Sequence, residues 1–212
     1  MNAFTRPRER ADTPSSRDAK TMPEYTHRDA LHCRSFEGVY GAPTKLSYAH
    51  YRQIVELALD RGYGAGLLRD AIGQTSADQG KALYLRHDID HDPRRAVEIA
   101  RLEAACGVRS TYFFRTNAND YNLFSYDVRR LIDELQRLGH DIGLHAEPVD
   151  YAHAREIPML DALREQIALF RIVSPDFRVV ASHNDMTPYN NLPFLQDVRA
   201  QALLAEERLV EA

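Results

Sequence analysis

The sequence predicts one α/β domain. Short apolar or β-branched runs alternate with amphipathic helical stretches from residue 82 onward. The connections between them are short, which argues for parallel strands with helices covering the sheet. Polar groups suited to metal or sugar follow each predicted strand. A chain of 212 residues is large enough for one domain with one core, and its apolar share of 44% is ordinary.

Taken in order, residues 1–29 are expected to be a flexible N-terminal tail, polar and rich in Arg, Asp and Ser near its start, and residues 30–212 a single domain. Residues 30–44 are irregular, with Gly38, Gly41 and Pro43. Ser47 caps a helix that puts Tyr51, Ile54, Val55 and Ala58 on one face and stops at Gly62. Ala82–Leu85 is a buried strand. Asp92 and Pro93 form a cap followed by proline at the first helical position, opening a helix to Gly107 with Val97, Ala100 and Ala104 on a face. Val108–Phe114, β-branched and aromatic, is a strand. Ser125 caps the next helix, where Val128, Leu131, Ile132, Leu135 and Leu138 keep helical spacing until Gly139. Asp141–Leu144 is a strand, Leu160, Leu163, Ile167 and Phe170 mark a helix, Phe177–Ala181 is a strand, and a last helix covers Phe194–Leu209. Periodicity alone leaves an open sheet and a barrel equally open.

The bulk numbers exclude several classes. A net charge of −4 gives no nucleic-acid footprint. No apolar run approaches the ~20 residues that span a bilayer, and the first 20 residues lack the apolar segment of a secretory signal. The expected location is the cytoplasm. Two cysteines, Cys33 and Cys106, make no disulfide framework, and Cys106 is expected to be a small core residue.

Parallel α/β folds bind ligands at the carboxyl ends of their strands. Arg86-His87-Asp88-Ile89-Asp90-His91-Asp92 follows the first predicted strand, Arg115-Thr116-Asn117 the second, His145-Ala146-Glu147 the third and Ser182-His183-Asn184-Asp185 the fourth. Mixed carboxylate and imidazole suit zinc, manganese, iron or cobalt better than calcium. Asp88 and Asp90 share side-chain parity if the strand extends, so both can face one site. Asp92 reads as a helix cap, His91 as solvated, His140 as structural at the opposite end of the sheet, and Tyr121 and Tyr189 as ordinary half-buried tyrosines.

Leu85-Arg86-His87-Asp88-Ile89-Asp90, Gly107 to Phe114 and Leu138 to His145, in that order, resemble the polysaccharide deacetylase family (carbohydrate esterase family 4, the NodB-homology domain), in its branch with an Arg-His-Asp-hydrophobic-Asp first motif. Asn122 to Ser125 and Ala181 to Asn184 are also similar to that branch, and the resemblance covers roughly Ser47 to Phe194. It implies a distorted (β/α) barrel, here short at its C-terminal end, and metal-dependent hydrolysis of N-acetyl groups on a sugar or polysaccharide precursor. Asp88 falls on the catalytic base. Ile89 occupies the position of the adjacent metal-binding carboxylate, which moves the ligand to Asp90. His145 falls on the first histidine ligand, and Val149 stands where the second is expected. His183 or Glu147 can replace it, and His183 is the favoured choice. The expected centre is a divalent ion, zinc first and cobalt, manganese or iron next, on Asp90, His145 and His183. His87 is the candidate acid for the leaving amine, and Arg115, Asn117, Asn184 and Glu147 are substrate contacts. Two rivals stand beside this: another metal hydrolase, such as a phosphoesterase, and a catalytically inactive sugar-binding or assembly module.

Overall fold

A computed structural model describes residues 47–71, 80–183 and 191–212. The N-terminal tail, Cys33, Asn184 and Tyr189 lie outside the described residues. Helix α1, Tyr48–Asp60, begins where Ser47 accepts a hydrogen bond from the His50 amide, and Gly62 follows it at φ +80°. Of its expected inner face only Val55 is buried, and Ile54 is exposed.

Strand β1 (Gly64–Gly66), the short helix α2 (Leu68–Ala71) and strand β2 (Ala82–Tyr84) come next, with β1 and β2 paired in a small parallel sheet. The chain then enters β3, Arg86–Ile89. The strand extension that gives Asp88 and Asp90 a shared parity is present, because the first half of the His/Asp motif is itself strand and pairs in register with β4 (Thr111–Phe114). Helix α3, Pro93–Ala105, connects the two; Asp92 caps it by accepting from the Arg94 amide. Helix α4 (Tyr126–Arg137) has Ser125 as its cap and buries Val128, Ile132 and Leu135 as expected. Gly139, at φ +90°, turns the chain into β5, Asp141–Ala146.

A short helix that was not foreseen, α5 (Pro148–Arg155), and a long one that was, α6 (Met159–Val173), follow. Strand β6 is Val179–Ser182. The expected single C-terminal helix is instead α7 (Asn191–Leu195), α8 (Val198–Glu206) and a strand β7 (Val210–Glu211). Asp197 causes the break, since its carboxylate accepts from the Arg199 amide and starts a new helix.

The main sheet is parallel throughout, in the order β3-β4-β5-β6-β7. Its two faces differ. Ile89, Tyr112, Phe114, Ile142, Leu144 and Val180 pack with residues of α3, α4, α6 and α8 in one large core. The other face carries Phe113, Val179 and Ala181, with Leu68 of α2 and Val210 against them. All the long covering helices therefore lie on one side, leaving the opposite face free for polar groups toward the strand ends. Among the described residues the sheet has β3 and β7 as edges.

Gly143 marks a close approach on this second face. A Cβ there would stand 2.4 Å from Phe113 Cε1 and 3.0 Å from the Val179 carbonyl oxygen. Gly143→Ala is expected to force the Phe113 ring out of place and cost about 1–3 kcal/mol as an overpacking change, read as a lowered midpoint in urea unfolding. An unchanged midpoint would mean that the ring has room to move.

Candidate metal centre

Alternation along the strands sorts the motif residues. On β3, His87 points to the helical face and Asp88 to the opposite one; Asp90 follows just past the strand end. On β5, Gly143, His145 and then Glu147 share the second face. His183 follows β6 directly, and its amide donates to the Ala146 carbonyl at 2.8 Å, which ties the ends of β5 and β6 together.

Asp90, His145 and His183 converge. Their ligand atoms all lie within 4.8 Å of one another. Asp90 Oδ1 is 3.5 Å from His145 Nε2 and 3.6 Å from His183 Nε2. Tetrahedral zinc with bonds near 2.1 Å holds its ligand atoms about 3.4 Å apart, so these separations fit such an ion. The other ring nitrogens face acceptors. His145 Nδ1 donates to the Ala181 carbonyl at 3.3 Å, and His183 Nδ1 is 3.7 Å from Glu147 Oε2. The two rings meet edge to face at 5.0 Å. Asp90 Oδ1 is buried and has no hydrogen-bond partner among the described residues. A cation would satisfy it. The donor set of one carboxylate and two imidazoles is that of a transition-metal site with an open position. Burial holds the His145 ring below the usual histidine range, against the pull of the Asp88 and Asp90 charges. The ring is thus kept in the neutral form that ligates metal.

Asp88 lies beside this group, its Oδ2 3.7 Å from His145 Nε2. Arg86 grips it with two parallel bonds, Nε to Oδ1 at 2.8 Å and Nη2 to Oδ2 at 2.9 Å. Arg86 is itself held. Its guanidinium sits 5.2 Å from the Phe113 ring centroid, and it donates to the carbonyls of Ala212 and Ser182 at 3.2 and 3.4 Å. The cleft over these groups has a volume of about 570 Å³, within the range of small-molecule sites. Leu192, Gln196 and Glu211 complete its wall.

Several expected contacts fall elsewhere. His87 is not at the cleft. Its Nε2 lies 2.7 Å from Glu103, and its ring stacks on Tyr112 on the helical face. Glu147 and Arg115 lie behind the ligands and not on the cleft wall, joined by a 2.5 Å bond from Arg115 Nη2 to Glu147 Oε2. Burial pushes the Glu147 carboxyl up, with Arg115 opposing it. Asn117 is exposed and donates to its neighbour Thr116. Tyr121 is structural, as expected: its hydroxyl donates to the Ile89 carbonyl and accepts from the Arg115 amide. His140 is also structural, buried between the Ser110 amide and the Ala100 carbonyl. His91 is exposed and pairs with Asp120. Cys106 is a half-buried helix cap rather than a core residue.

Sequence reasoning missed Arg86 as a partner of Asp88, although the i, i+2 spacing on a strand could have suggested it. It also missed Leu192, Gln196 and Glu211, which carry no local signal. No helix among the described residues is long and apolar enough to cross a membrane. No family model matches the chain, and comparison with curated proteins and with solved structures returns no match.

Proposed function

We propose that this chain is a metal-dependent hydrolase of the polysaccharide deacetylase type, removing an N-acetyl group from a sugar or polysaccharide precursor in the cytoplasm. The convergence of Asp90, His145 and His183, with Asp88 beside them, carries the reading. Long helices packed on one side of a sequentially ordered parallel sheet are in keeping with a (β/α) barrel. We read the five-stranded sheet as a sector of a distorted barrel.

Asp90, His145 and His183 would hold the ion, zinc first and cobalt, manganese or iron next. Bound there, it supplies Lewis-acid polarisation of the amide carbonyl and acidifies water. Asp88, aimed by Arg86, takes the proton from the attacking water as general base. His87 is on the far side of the sheet, so the same Asp88 returns that proton to the leaving nitrogen as the C–N bond breaks. The products are acetate and the free amine.

A phosphoesterase fits less well. Arg86 is the cationic side chain on the cleft wall among the described residues, and it is engaged by Asp88. That engagement also favours a second reading, an inactive sugar-binding module, because both Asp88 oxygens already accept from Arg86.

Metal content by elemental mass spectrometry tests the centre. The purified protein is expected to carry or take up close to one zinc or cobalt per chain, and His145→Ala to lose it while keeping its circular dichroism. A wild-type chain that takes up no ion would end the hydrolase reading. Acetate release from N-acetylated sugar oligomers by the loaded protein then separates the enzyme from the inactive module.

A further inference from the structure

Glu147 occupies the cap position of α5, where a carboxylate ordinarily accepts from the helix amides. It makes no such bond. Its side chain turns inward and is buried, with Oε2 taking the Arg115 guanidinium and standing 3.7 Å from His183 Nδ1. The backbone around it is fixed. Its amide donates to Gln166 Oε1 at 3.2 Å. Asn191, fully buried, accepts from the Val149 amide at 2.9 Å and donates to Asp150 at 2.9 Å and to the His183 carbonyl at 2.8 Å. The start of α5 and the end of β6 are thus locked to each other, and Glu147 and His183 with them.

We infer that Glu147 is a positioning residue: its carboxylate, pinned by Arg115, sets the ring of His183 so that Nδ1 faces Glu147 and Nε2 faces Asp90. The inference rests on the metal centre proposed above. A carboxylate behind a ligating imidazole fixes the tautomer and orientation of the ring and raises its basicity. Here it also takes the place of sequence proximity. His145 and His183 come from different strands, and no shared helix or turn aligns their rings. His145 has a backbone carbonyl for this purpose, and His183 has Glu147.

Cobalt titration of the full-length chain tests it, followed by the visible absorption of bound cobalt, with wild type, Glu147→Gln, His183→Ala and the double variant side by side. Glu147→Gln is expected to weaken cobalt binding by about 10- to 100-fold and to change the band shape, as outer partners of metal ligands do. The same substitution in the His183→Ala background is expected to add almost nothing. Arg115→Gln, which frees the carboxylate without touching a ligand, is expected to shift affinity in the same direction by a smaller factor. Glu147→Asp is expected to recover part of the loss. Wild-type affinity in Glu147→Gln, or a loss undiminished without His183, would overturn the inference and leave the metal centre standing. Absence of cobalt binding in wild type would overturn both.

Discussion

Asp88→Asn is expected to lower kcat for acetate release by about 10²- to 10⁴-fold, the usual contribution of a positioned base, and to leave ion binding nearly unchanged. The two effects separate because Asp88 is not among the three converging ligands. Asn preserves the shape of the side chain and an acceptor for Arg86, so the cleft wall keeps its form. Asp90→Asn makes the opposite expectation. Asp90 Oδ1 faces both imidazoles, and its loss should remove the ion itself. Steady-state rates and zinc titrations on the two variants decide between them. An Asp88→Asn protein within about threefold of wild-type kcat would place the base elsewhere. Loss of ion binding in Asp88→Asn would instead make Asp88 a ligand.

Much of this site is legible in the sequence because strand ends collect ligands in a parallel sheet. Asp90, His145 and His183 each stand at such an end, and no knowledge of depth was needed to group them. His87 shows where this kind of reading fails. The strand parity that brings Asp88 and Asp90 to one face sends their neighbour His87 to the other, and the assignment of His87 as the acid did not apply that alternation. The strand expected over Ala82–Leu85 divides at Leu85 into β2 and β3, which belong to different sheets. Glu147 and Arg115 were found as polar residues in the right places, but sequence does not say which groups touch solvent and which stand behind the ligands. The helices with continuous apolar stripes, such as α4 and α6, are legible from spacing alone. Helix α5 buries only Pro148 and Ala152, so it has no stripe to read. Strand β7 is two residues long and depends on pairing with β6, a non-local cause.

Glu103→Ala is expected to destabilise the fold by about 3–5 kcal/mol, the cost of removing one partner from a buried ionic group. Glu103 lies on α3, fully buried. Its Oε1 accepts from Tyr51 and stands 2.7 Å from His87 Nε2; its Oε2 accepts from Ser110 and, at 2.7 Å, from Tyr112. One carboxylate therefore joins α1, β3, α3 and β4. Burial alone would push its carboxyl up, but hydrogen bonds and charge from His87, then Ser110 and Tyr51, outweigh that and hold it down at about 2. A carboxyl held below its unfolded range stabilises the fold above that range, and the contribution is lost as pH falls through about 2. At roughly 1.4 kcal/mol per pKa unit, the depression is of the same order as the loss expected for the alanine variant. Urea melts of wild type and Glu103→Ala at pH 7 and in acid check both statements. The gap should be widest at pH 7 and narrow in acid as the wild-type carboxylate takes up its proton. A gap below about 1 kcal/mol at pH 7 would show that water replaces the carboxylate at little cost. A gap that stays constant down to pH 2 would show that the loss comes from packing and not from charge.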